Sequence, residues 1–102
     1  MKISIAQFAV KRGDATANLA RIAELGEEAA SFGTNLLCLP EMSTTGFDWS
    51  SNREHLADAS ASIAELKDIA QEQGIAICGS FLEKTELGNA AKNAIGYTWN
   101  DD

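Results

Sequence analysis

The residue types able to do chemistry are few in this chain, and one is conspicuously placed. In "NLLCLPEMSTTGFDW", residues 35–49, an apolar run meets Pro40 and Glu41 and then a Thr/Gly-rich loop carrying Phe47 and Trp49. A carboxylate held at the mouth of a buried strand could act as a general base. A loop glutamate facing water is the competing reading, and glutamates after strands are common. Pro40 fixes its own φ and so steadies the backbone that aims the next side chain. The two cysteines, Cys38 and Cys78, each lie inside an apolar run. Their spacing fits neither a zinc site nor a CxxC pair, and buried free thiols in a reducing compartment are the simpler account. His55 is the only histidine. It has no cysteine or carboxylate at ligand spacing and reads as a surface residue. No metal or cofactor is implied.

The elements that must position Glu41 follow from hydrophobic patterning. "KISIAQFAV", Lys2 to Val10, reads as a strand with Ile3 and Ile5 on one mostly apolar face. "KRGD" is a turn, with Asp14 a candidate N-cap. From Ala15 to Phe32, Leu19, Ile22, Ala23, Gly26, Ala29 and Ala30 recur at helical spacing, and Gly33 stands where a left-handed residue would end the helix. The small residues Ala23, Gly26 and Ala30 would let this helix approach a sheet closely. "NLLCL" is apolar without alternation, the pattern of a strand covered on both faces. Pro40 cannot donate to a ladder, so the strand stops there. A second helix is expected from Ala59 or Ser62 to Gln73, capped by a Ser62–Glu65 box, by Asp58 or by Ser60, and ended by Gly74. "IAICGSFLE", Ile75 to Glu83, is a third strand. Its interior glycine suggests close approach of another backbone or a ligand. "NAIGYTWN", Asn93 to Asn100, is a fourth strand, antiparallel to the third through a hairpin. The order βαβαββ defines an α/β fold, and open α/β sheets bind ligands beyond the carboxyl ends of their parallel strands, where Glu41 falls.

Composition limits the partners. The chain has 102 residues, 45% hydrophobic and 23% charged, with a formal net charge of −7. Its length suits one domain. The acidic balance argues against nucleic acid, which needs a basic patch. No apolar run approaches the ~18 residues of a membrane span, and no secretory signal pattern opens the chain. Met1-Lys2 runs straight into strand-like sequence, so a mature N-terminus and a cytoplasmic location are expected. The chain stops at "YTWNDD", directly after a strand, which reads as a sign of truncation.

Taken in order, "KISIAQFAVKRGDATANLARI", "NLLCLPEMSTTGF", "GIAICGSFLEK" and "KNAIGYTWNDD" resemble the N-terminal part of the nitrilase superfamily, the carbon–nitrogen hydrolases. The resemblance covers essentially the whole chain: Gln7, Gly13-Asp14 with Asn18, the Leu39-Pro40-Glu41 strand end, Gly79-Ser80 and Asn93. It implies part of a four-layer α-β-β-α sandwich, with residues 1–102 a partial domain. It also implies a Glu-Lys-Cys triad cleaving non-peptide C–N bonds, in a small amide or alternatively a nitrile or N-carbamoyl compound, through an acyl-thioester. Glu41 matches the catalytic glutamate. Glu83 resembles a glutamate that supports the lysine, or is a plain hairpin-edge charge. Asn93 resembles an asparagine near the site, or is a strand-start turn residue. Phe47 and Trp49 line a substrate pocket or pack the loop down.

The sequence departs from the pattern at two of three catalytic positions. Lys84 and Lys92 flank the wrong turn, and Cys38 and Cys78 lie inside strands rather than at a strand-to-helix elbow. The chain alone is therefore expected to be inactive. An incomplete sandwich leaves sheet edges and one face bare, so self-association into a homo-oligomer is expected. The rival reading is a catalytically inactive α/β binding domain with Glu41 a relic. A flavodoxin-like domain is disfavoured, because "KRGDATAN" has one glycine where a phosphate loop needs more.

Overall fold

The computed structural model describes residues 1–47, 55, 58–84 and 91–98, with backbone only for 82–84 and 91–98. The elements run β1 (Ile3–Ile5), α1 (Ala15–Ser31), β2 (Leu36–Cys38), α2 (Ala59–Gln73), β3 (Ala76–Lys84) and β4 (Ala91–Thr98). They form one sheet in the order β1-β2-β3-β4. The first three strands are parallel, and β4 returns antiparallel to β3. The predicted order βαβαββ is the observed one.

Local chemistry sets the helix ends. The Asp14 side chain accepts from the Ala17 N–H at the start of α1, filling one orphan donor of the first turn. At its other end the N–H of Gly33 bonds to Ala30 and that of Thr34 to Ala29. This is a Schellman closure, and it needs the positive φ of 77° that Gly33 supplies. Helix α2 starts one residue after Asp58, whose side chain makes no capping bond. Ser62 is not a cap: it lies within the helix and is buried.

Strands added in sequence with right-handed crossovers place both helices on one side of the sheet. The burial agrees. Leu37 and Ile77, 2% and 0% exposed, join Leu19, Ile22, Leu66, Ile69 and Phe81 in a single core beneath α1 and α2. The opposite face is bare among the described residues. Ile3 and Ile5, on the apolar face predicted for β1, are 56% and 74% exposed. Leu36 and Cys38 are only half-buried. The expectation that β2 is covered on both sides is met on one side only. Its second apolar face is the one that a further sheet covers in a four-layer sandwich.

Strand β1 is shorter than its apolar run. One further bond, from the Ala6 N–H to Cys38, extends its pairing. The chain then leaves the sheet, and Ala6 and Phe8 pack toward the core instead. Of the small residues of α1, Gly26 serves the approach of a helix. A Cβ at Gly26 would stand 3.2 Å from Ile69 Cγ2 of α2. Gly26→Val is therefore expected to cost about 1–3 kcal/mol by overpacking. That would be read as a lower denaturant midpoint, and an unchanged midpoint would mean that the two helices do not meet here.

Candidate active site

Glu41 owes its position to a misfit between β2 and β3. The Leu39 N–H donates to the Cys78 carbonyl at 2.9 Å. In a regular parallel ladder the next donor would come two residues later. It comes three later: the Met42 N–H donates to the Ser80 carbonyl at 3.0 Å and to Ser80 Oγ at 3.2 Å. One surplus residue is thus accommodated at Pro40-Glu41, in the manner of a bulge, a device that re-aims side chains beside active sites. Proline suits the spot because it has no N–H to offer the ladder. The chain re-enters through Met42, whose φ of 51° is the only positive value at a non-glycine among the described residues. Backbone strain of this kind persists where surrounding contacts over-determine it. Here both oxygens of Ser80 and complete burial of Met42 do so. Glu41 itself is exposed at the carboxyl end of β2.

The segment after Glu41 is a loop by conformation but is buried like a core. Met42, Ser43, Thr44 and Thr45 are all nearly inaccessible, so their backbone polar groups need internal partners. The Gly46 N–H closes the turn onto the Met42 carbonyl at 2.7 Å, and the Gly13 N–H donates to the Thr45 carbonyl at 2.7 Å. Asn18, 1% exposed on α1, does more. Its Nδ2 donates to the carbonyls of Lys11 (2.8 Å) and Thr44 (2.9 Å), while its Oδ1 accepts from the Lys11 N–H (2.8 Å). One side chain thereby ties the loop after β1 to the loop after β2. Gly46 permits the approach: its φ is 67°, and a Cβ there would lie 3.3 Å from Arg12 Cα. Ser43 Oγ finds no hydrogen-bond partner among the described residues.

The other predicted residues divide. Phe47 follows the buried turn and is exposed. Trp49 lies outside the described residues. Glu83 and Asn93 occupy diagonal positions of the β3–β4 ladder, where Glu83 pairs with Lys92 and Leu82 with Asn93. Asn93 is the third residue of β4, so the account of it as a strand-start turn residue fails. β3 runs past Ser80 to Lys84, carrying Glu83 beyond the end of β2 on the side where Glu41 emerges. His55 is half-buried, lining a small cavity behind the loop with Thr44, Thr45, Ser62 and Phe81 rather than standing on the surface. Gly79 makes room for side chains, not for a ligand. A Cβ there would meet Phe81 Cζ at 3.0 Å and Leu39 Cβ at 3.3 Å. Among the described residues no three His, Cys, Asp or Glu side chains gather as a metal site. No described helix is long and apolar enough to cross a membrane.

The Glu41 carboxylate thus emerges from the carboxyl end of a parallel strand, on a turn clamped by backbone hydrogen bonds. Residues 2–99 match the carbon–nitrogen hydrolase family, and the chain belongs to it. Among solved structures it is similar to a cysteine-to-alanine mutant of an amidase of the nitrilase superfamily from Nesterenkonia AN1. That similarity is 27% identity and a TM-score of 0.75, covering 80% of this chain and 32% of that one. The same amidase mutant in complex with butyramide gives the same values. A glutamine-dependent NAD(+) synthetase from Cytophaga hutchinsonii shares the fold at 22% identity, with a TM-score of 0.77 over 96% of this chain and 17% of its own. The chain thus spans about a third of the length of the amidase it matches. No curated protein matches it.

Proposed function

We propose that this chain supplies the general base, Glu41, to a hydrolase of small amides. The observation that supports the reading most is the one-residue surplus at Pro40-Glu41, which delivers the carboxylate to the mouth of the parallel sheet in a chain of the carbon–nitrogen hydrolase family. In this reading Glu41 takes the proton of a cysteine thiol. The thiolate attacks the amide carbon, because it and not the thiol is the competent nucleophile. The amine leaves with a proton, and water activated by Glu41 hydrolyses the resulting thioester. A lysine stabilises the charge that develops on the carbonyl oxygen. Neither Lys84 nor Lys92 flanks the right turn, and Cys38 and Cys78 lie in strands, so the lysine and cysteine come from outside these residues. Glu83 and Asn93 stand near the same end of the sheet as supporting groups. In this reading Phe47 and Trp49, which follow Glu41 in the sequence, belong to the substrate pocket.

The butyramide complex of the related amidase supports a short amide as substrate class. The bare sheet face with Ile3 and Ile5 favours self-association into a homo-oligomer. The free thiols Cys38 and Cys78 fit a reducing, cytoplasmic setting. The test is ammonia release from short aliphatic amides. The 102-residue chain alone should release none, and a longer protein that carries this segment with the missing lysine and cysteine should release it readily. Turnover by the isolated chain, or none by the longer protein on amides, nitriles and N-carbamoyl compounds, would overturn the reading.

A further inference from the structure

Cys38 and Cys78, forty positions apart, are register partners on β2 and β3. Leu37 and Ile77 face the helices, so by strand alternation the two cysteines share the opposite face, which is bare among the described residues. Their sulfurs lie 3.4 Å apart, with the Cys78 thiol donating to Cys38. Both residues are half-buried rather than sealed in the core. Neighbouring strands stand about 4.8 Å apart, within the ~4.4–6.8 Å that a disulfide spans between Cα atoms.

We propose that Cys38 and Cys78 form a dithiol site that small-molecule disulfides of the glutathione class oxidise to an internal disulfide. The site does not depend on the hydrolase reading. The Cys38 thiolate attacks one sulfur of the oxidant, forming a mixed disulfide and expelling one thiolate, which takes up a proton. Cys78 then loses its proton and attacks the Cys38 sulfur, and the second oxidant thiolate leaves and is protonated in turn. Two protein thiols are oxidised and one small disulfide is reduced to two thiols. The geometry assigns these roles, since Cys78 gives its S–H to Cys38. The Cys78 thiol is pushed up to about 11, first by burial and then by the bond to Cys38 and the charge of Cys38. Cys78 is therefore the slower sulfur to ionise and the resolving partner. The bridge would tie the strand leading to Glu41 to the strand leading to Ser80.

The test treats the protein with oxidised glutathione under native conditions and follows the non-reduced intact mass after alkylation. The wild-type chain is expected to lose two hydrogens and take up no alkylating reagent. Cys78→Ala should stop at a single glutathione adduct on Cys38, and Cys38→Ala should react much more slowly. Bridge formation should be about tenfold or more faster in the folded chain than in denaturant, because folding raises the effective concentration of one thiol at the other. Stable adducts on both cysteines, disulfide-linked dimers in place of the internal bridge, or equal rates in folded and denatured chain would each overturn the proposal.

Discussion

Replacing Asn18 by alanine is expected to lower the unfolding free energy by about 2–4 kcal/mol, since each buried polar group left without a partner costs ~1–3 kcal/mol. Three backbone groups depend on this side chain, and they are not equivalent. The bond to the Thr44 carbonyl is buried, while Lys11 is exposed and water can replace part of what is lost there. The estimate is therefore less than three full penalties. Asn18→Asp should do no better than alanine. A carboxylate can accept from the Lys11 N–H but has nothing to donate to the carbonyls of Lys11 and Thr44, and it adds a buried charge. Denaturant unfolding measures the loss. Hydrogen exchange at the Gly13 and Gly46 amides shows where it falls, because both close the clamped loops. A loss below ~1 kcal/mol, with those amides still protected, would mean that Asn18 does not hold the two loops together.

The second large effect is on activity and rests on the proposed function. In the longer protein, Glu41→Gln is expected to reduce kcat/KM for a short amide by ~10²–10⁴-fold, the usual contribution of a positioned general base. The folded state should hardly notice, with stability within ~0.5 kcal/mol of the parent, because surface substitutions away from packed features rarely do more. Glu41 is exposed, and the bonds from Met42 to Ser80 hold the turn. Glutamine keeps the shape and removes the base. Activity within tenfold of the parent would exclude Glu41 as the proton acceptor. A large loss of stability would instead make it a structural residue.

These two residues also show what can be read from a sequence of this kind. The ends of α1 were legible because Asp14 and Gly33 act on their own neighbourhood. The order of elements along the chain was legible because helical and extended periodicities alternate cleanly. β1 was read too long, since apolar composition marks burial and not pairing. Past Ile5 the chain is still apolar, but Ala6 and Phe8 pack toward the core, and β2 is itself only three residues long. The cysteines looked buried for the same reason: the sheet face that holds them is apolar but bare. Glu41 could be placed at a strand mouth from Pro40 alone. How it gets out could not, because the Met42–Ser80 bonds join residues thirty-eight positions apart. Asn18 stood out only as one member of a resemblance, because its partners lie seven and twenty-six positions away.

The surplus residue at Pro40-Glu41 makes this part of the chain intolerant of changes in length. Along an unbroken β2 the residue bonded to Ser80 would be Glu41, on the side already taken by Leu37 and Leu39 beneath the helices. The surplus hands that berth to Met42, which fills it with no exposed surface, and lets the carboxylate emerge at the end of the strand. Deleting Pro40 would remove the surplus: Met42 would keep its place opposite Ser80, and Glu41 would become an ordinary strand position on the face of Leu36 and Cys38, no longer extruded at the strand end. Lineages carrying this segment should therefore hardly vary in how many residues lie between Leu39 and the turn.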